Sequence, residues 1–223
     1  RVANALQMEV IDRALARFMA ALKQRGLYED SIIVFTSDHG EMNGRRALVD
    51  KGVYLFPDVL RVPLAVKAPG VAPRAVEETV SHLDIAPTLL GAARLEPMER
   101  LDGRPLPLDG KPLGDRDLLF ECGWHVGVNF ACAIQRQSAE GHHLYTYNCS
   151  SEVDELYDLA STDAVNLAQD PAHKKLHGEM VRRMGATLER DPRWIGYWHS
   201  FRLDHYEDLP RRGSGDAQMF RPI

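Results

Sequence analysis

Apolar side chains at Leu6, Val10, Ile11, Ala14, Leu15, Phe18, Met19 and Leu22 recur at helical spacing, with Arg13, Arg17 and Lys23 on the opposite side. The pattern predicts an amphipathic helix over residues 5–25 with one buried stripe. Gly26 suits its end, where a left-handed residue is tolerated. The period then changes. Ile32-Ile33-Val34-Phe35 is β-branched, aromatic and continuous rather than alternating, which predicts a strand covered on both faces, as in a parallel sheet. A second strand is expected at Val62–Lys67, where Pro63 marks a strand start or an edge position. The stretch "SHLDIAPTLLGAA" reads as a short helix with Asp84 as its cap, Pro87 in the first turn and Gly91 at its end. Residues 96–116 hold four prolines and three glycines and read as a linker or a loop over the surface.

From there the runs become short. "DLLFEC", "VNFACAIQ", "HHLYTYN" and "DELYDL" are strand-like and separated by turns, which predicts an antiparallel sheet. "PAHKKLHGEMVRRMGATLERD" follows, with Leu176, Met180, Met184 and Leu188 spaced by four along one helical face. The tail is aromatic at first (Trp194, Tyr197, Trp198) and then Gly/Pro-rich and loose. Helix, turn and buried strand at the front, and antiparallel strands with a helix behind, predict an α/β protein in two parts. The first spans residues 1–115 and the second, a small α+β subdomain with an extended tail, spans 116–223.

Composition narrows the function classes. At 223 residues, 44% hydrophobic and 26% charged, the chain has the make-up of an ordinary soluble globular protein. A net charge of −5 supplies no basic face for nucleic acid. No apolar run approaches the roughly 20 residues of a membrane-spanning helix. Cys122, Cys132 and Cys149 fit no compact zinc spacing, and an odd number cannot all pair, so buried free thiols are expected. The chain opens at Arg1 without an initiator methionine, which leaves the compartment open between cytoplasm and periplasm.

The chemistry concentrates where the first strand ends. In "SIIVFTSDHGE" an apolar run stops at Asp38, His39 and Gly40. Such an ending is either an ordinary polar turn or a ligand pair held at a strand's carboxyl end, where open α/β sheets place their sites. A carboxylate beside an imidazole suits a divalent cation, and ligands at a strand end are rigidly aimed.

"LYEDSIIVFTSDHGEM", Lys51, "RVPLAV", "SHLDIAPTLLG" and "DELYDL" before "NLAQDP" together resemble the C-terminal half of a sulfatase. That family belongs to the alkaline phosphatase superfamily, with phosphonate monoester and phosphodiester hydrolases as relatives. The resemblance runs from residue 1 to about residue 190. It implies the C-terminal part of a mixed or parallel sheet sandwiched by helices, followed by a small antiparallel sheet with a packed helix. It also implies that Asp38 and His39 ligate one divalent cation, calcium first, with manganese, magnesium or zinc as alternatives. Lys51, thirteen residues after Asp38, would contact the transferred sulfuryl or phosphoryl group, where a fixed ammonium stabilises gathering negative charge. The chain departs from many relatives at Arg45-Arg46-Ala47, where they carry a histidine or small polar cluster. Those arginines are either surface charge or an added attraction for anions.

Other candidates read as structural. His82 is expected to pack or cap, and His142 and His143, adjacent in a strand, would face opposite sides. Cys149-Ser150 lacks the proline and arginine of the family's nucleophile motif. Nowhere does the chain hold a Cys/Ser-x-Pro-x-Arg stretch, the source of the family's formylglycine nucleophile. Asp38 and His39 are also too few for a hard cation that takes about six donors. The expectation is therefore half of an active site for a small sulfate or phosphonate ester, completed by an N-terminal part of the same enzyme. A homo-oligomer is compatible with this reading, and so is a non-catalytic module that binds a partner.

Overall fold

In the computed structural model the described residues are 2–97, 99–123, 130–149, 153–161 and 165–206. They fall into two compact units, residues 1–51, 58–77 and 107–111 in one and 52–57, 78–106 and 112–223 in the other.

In the first unit the helical spacing yields α1, Val2–Gln24. It closes in a Schellman arrangement: Gly26, at φ 69, donates to the Lys23 carbonyl and Leu27 donates to that of Leu22. The expected buried stripe is not buried by this chain, because Leu6, Val10 and Phe18 are more than half exposed. Periodicity identifies an apolar face; it does not bring a cover for it. Lys67 fastens the turn that follows, donating to the carbonyls of Tyr28, Glu29 and Ser31 with its ammonium 4.8 Å from the Tyr28 ring centre.

β1 (Ile33–Thr36) pairs with β2 (Leu64–Lys67), Ile33 opposite Lys67 and Thr36 opposite Leu64. The pair is antiparallel, so the parallel neighbour that a continuous apolar run suggests is not β2, in keeping with the mixed sheet the resemblance implies. β-branched residues fix an extended backbone but leave the partner's direction open, and here the long connection returns Leu64 beside Thr36. Nor is β1 covered on both faces, since Phe35 is exposed and its neighbours are half-buried.

The second unit holds the larger core. β3 (Arg116–Cys122), β4 (Ala131–Ser138), β5 (Gly141–Asn148) and β6 (Glu155–Asp158) form an antiparallel meander in chain order, as the short runs predict. Cys132 opposite Tyr147, Ile134 opposite Tyr145, and Tyr145 opposite Leu156 line one face at the period of two. Against it pack Met180, Met184 and Leu188 of α2 (Lys174–Arg190) and Phe201 of α3 (Ile195–His205), all essentially inaccessible to solvent. Trp194, Tyr197 and Trp198 pack on the rim of this cluster, so they are core aromatics. The aromatic start of the tail is thus helical, and its Gly/Pro-rich remainder, residues 207–223, lies outside the described part.

Asp84, expected as a cap, has a larger role. Ser81 caps the turn at His82–Asp84, which leads into the short helix Ile85–Ala92, and His82 is exposed rather than packed. The Asp84 carboxylate, fully buried, accepts from the Ser81 and Arg104 backbone N–H groups and from both terminal nitrogens of Arg116 at 2.7 and 3.1 Å. A buried charge is tolerated because all these donors satisfy it. Gly91 lies inside the helix, and the left-handed closing residue is Arg94 at φ 57. The expected surface loop is pinned as well: Leu106 is buried and its N–H donates to Thr88 Oγ1.

Candidate functional site

Directly after β1 the backbone bends, and hydrogen bonds within the bend aim its side chains. Asp38 Oδ1 accepts from the His39 backbone N–H at 2.9 Å, and Ser37 Oγ donates to the His39 carbonyl at 2.9 Å. The first of these bonds is the main reason the Asp38 carboxyl is held below its ordinary value, so it is ionised at neutral pH. The side chain is 83% exposed and available to a ligand.

His39 is oriented from behind. Its Nδ1 lies 2.8 Å from the Gly40 carbonyl and its Nε2 lies 2.8 Å from Lys51 Nζ. A carbonyl can only accept and an ammonium can only donate, so the network assigns the proton to Nδ1 and the lone pair to Nε2. That is the tautomer in which an imidazole ligates a metal through Nε2, with a backbone carbonyl steadying the ring. Asp38 Oδ2 stands 3.4 Å from the same Nε2. A carboxylate oxygen and an imidazole nitrogen this close have the donor chemistry of two neighbouring ligands to one divalent cation. Among the described residues no group of three His, Cys, Asp or Glu side chains could hold a metal ion.

Gly40 is required for a different reason from the sharp turn its place suggests. Its φ is not left-handed; instead it touches backbone. A Cβ there would lie 2.0 Å from the Asp58 carbonyl oxygen, and the Gly40 N–H donates to the Val59 carbonyl at 2.7 Å. The ligand turn is thus seated on the backbone of Asp58 and Val59.

The loop from residue 41 to Lys51 returns the lysine to His39. Met42, fully buried, anchors its start. Arg45 accepts from the Leu48 N–H and donates its own N–H to the Met42 carbonyl, and its guanidinium pairs with Asp58. Arg45 is therefore part of the loop's framework rather than free surface charge. Asn43, Arg46, Ala47 and Asp50 are all left-handed, with φ between 51 and 66. Side chains in that conformation cost roughly 1 kcal/mol or more each, so this path persists only because its contacts impose it.

Lys51 is thus brought back to the adjacent Asp38 and His39, while Ser37, Gly40 and Asp58 support them. The supporting set escapes a sequence reading, because Ser37 and Gly40 stand in the motif without announcing these bonds and Asp58 looks like any surface acid. The remaining candidates lie elsewhere. His142 bonds Thr79 and Gln135, and adjacent His143 stands opposite Asp158. The three cysteines form no disulfide; Cys132 and Cys149 are buried and Cys122 half-buried. Burial pushes the Cys132 thiol well up, which makes it inert. Ser150 lies outside the described residues.

Residues 5–95 match the sulfatase family model. Over 72% of its length the chain is 30% identical to the choline-sulfatase of Rhizobium meliloti, covering 31% of that protein. Over 74% it is 32% identical to the multifunctional alkaline phosphatase superfamily protein PehA of Trinickia caryophylli, covering 36%. It superposes on the phosphonate monoester hydrolase SpPMH from Silicibacter pomeroyi with a TM-score of 0.68 and 26% identity, over 81% of this chain and 39% of that one. The chain spans about a third of the length of these two curated relatives.

Proposed function

The chain belongs to the sulfatase family through residues 5–95, and from that premise we propose that it forms the C-terminal part of a metal-dependent hydrolase of sulfate esters. One observation carries the reading: at the end of β1, two cation donors 3.4 Å apart share their imidazole with an ammonium at 2.8 Å. Asp38 and His39 would hold a divalent cation, calcium first, whose contribution is Lewis acidity at the ester's oxygens. His39 Nε2 has a single lone pair. With it committed to the cation, Lys51 keeps its N–H donors for the oxygens that gain charge as the S–O bond breaks. The ionised Asp38 and the Nδ1–H tautomer of His39 are set by the chain itself, so the site is ready to bind without rearranging protons. The nucleophile, a formylglycine in this reading, would be supplied by residues outside this chain, as would the other metal ligands.

A second reading has its own support. An imidazole at position 39, and the likeness to the phosphonate monoester hydrolase SpPMH, favour phosphonate monoester or phosphodiester hydrolysis by the same geometry. Turnover of an aryl sulfate and of an aryl phosphonate monoester by the full-length protein, before and after chelation, tests both. Faster sulfate turnover supports the first reading and faster phosphonate turnover the second. Chelator-insensitive turnover of either ester, or turnover of neither, overturns the proposal.

A further inference from the structure

Asp58 touches the candidate site from two directions at once. Its backbone carbonyl fills the space left by the missing Gly40 side chain, and the next carbonyl, of Val59, accepts the Gly40 N–H. Its carboxylate, only 15% exposed, pairs with Arg45 Nε. Gly40 directly follows the ligand pair, and Arg45 is the hub of the loop that delivers Lys51. The Arg45 N–H bonds back to Met42 at 2.7 Å, and its carbonyl receives Leu48 at 2.9 Å. One residue therefore holds the two halves of the site together.

The arrangement needs such a tie. Lys51 reaches His39 through a flexible stem with several rotatable bonds, so its ammonium can be no better placed than the backbone beneath it. That backbone passes through four left-handed side-chain-bearing residues and would relax if released. Met42 fixes the near end of the loop and the Asp58–Arg45 pair its middle. We propose that Asp58 is a positioning residue, clamping the 41–51 loop through Arg45 onto the Asp38–His39–Gly40 turn and thereby setting the ammonium of Lys51 beside His39. The inference rests on the functional reading above, in which Lys51 acts on the transferred group.

The test uses the full-length enzyme and whichever ester it turns over. Asp58→Asn removes the charge but keeps size and backbone, and Arg45→Gln removes the other partner at an exposed position. Each is expected to lower kcat about tenfold or more while KM and bound metal change little, since the lost contact acts only in the transition state. In the Asp58→Asn/Lys51→Ala double variant the rate should equal that of Lys51→Ala within about twofold, because residues acting through one another are not additive. The swapped pair, Arg45→Asp with Asp58→Arg, should recover part of the loss. Wild-type kcat in both single variants, or losses that multiply with Lys51→Ala, would overturn the inference. A wild-type rate in Lys51→Ala alone would instead overturn the functional reading, so the two failures are distinguishable.

Discussion

Gly40→Ala adds one methyl group, and the structure says where it goes. The new Cβ would lie 2.0 Å from the Asp58 carbonyl oxygen, 3.0 Å from the Asp58 carbonyl carbon and 3.1 Å from Val59 Cα. Ordinary contact lies near roughly 3.5 Å, so the overlap is about 1.5 Å and falls on backbone that has no rotamer to turn away. Relief requires the 38–40 turn to lift off. Overpacking of this kind costs about 1–3 kcal/mol, and the Gly40 N–H bond to Val59 is lost with it, at about 1 kcal/mol. A destabilisation of about 2–4 kcal/mol follows, accompanied by a displaced His39 and weaker cation binding. The assay is urea unfolding of the full-length protein together with calorimetric titration of calcium. Gly91→Ala is the matched control: it sits within a helix with nothing within 4 Å of its added Cβ. That change should stabilise by about 0.5–1 kcal/mol. Equal stability and equal calcium affinity in Gly40→Ala and wild type would refute the close-approach argument.

Lys51→Ala should lower the rate of the full-length enzyme by about a hundredfold or more, and Lys51→Arg should recover only part of it, because a planar fork does not reproduce a point charge; steady-state kinetics decide. Arg116→Ala strands the buried Asp84 carboxylate and should cost about 3–5 kcal/mol in chemical denaturation. Asp191, whose carboxyl is drawn down to about 2 chiefly by hydrogen bonds from Arg193, stabilises the fold above its ordinary value of 3.8 and loses that contribution as pH falls through about 2. Asp191→Asn should therefore flatten the acid limb of the stability profile over that interval, as followed by circular dichroism.

The parts of this protein that sequence discloses are those governed by neighbours along the chain. The four-residue spacing of Leu176, Met180, Met184 and Leu188 emerges as a helix with three of those side chains sealed in the core. The short runs from Arg116 to Asp158 emerge as a meander, because connections of a few residues leave antiparallel neighbours as the simplest pairing. Partnership at a distance is what local patterns cannot supply. Nothing in Ile33–Thr36 announces that its neighbour is antiparallel, and nothing in the α1 stripe tells whether the covering surface comes from this stretch. The Asp84–Arg116 pair joins residues 32 apart, and each alone reads as an ordinary charge. At the candidate site the Asp38–His39 pair is legible because both residues sit in one motif at a strand end. Asp58, whose contribution is made through a carbonyl and a single ion pair, carries no such mark.

The central claim is that Asp38 and His39 hold a cation beside Lys51. Titrating calcium and manganese into the metal-stripped full-length protein and into its Asp38→Ala and His39→Ala variants, with ester turnover measured on the same samples, tests it most directly. The account predicts that each substitution weakens binding by more than the roughly 10–100-fold that follows loss of a mere supporting partner, and that turnover falls with it while the unfolding midpoint stays put. Wild-type affinity and turnover in both variants would contradict it.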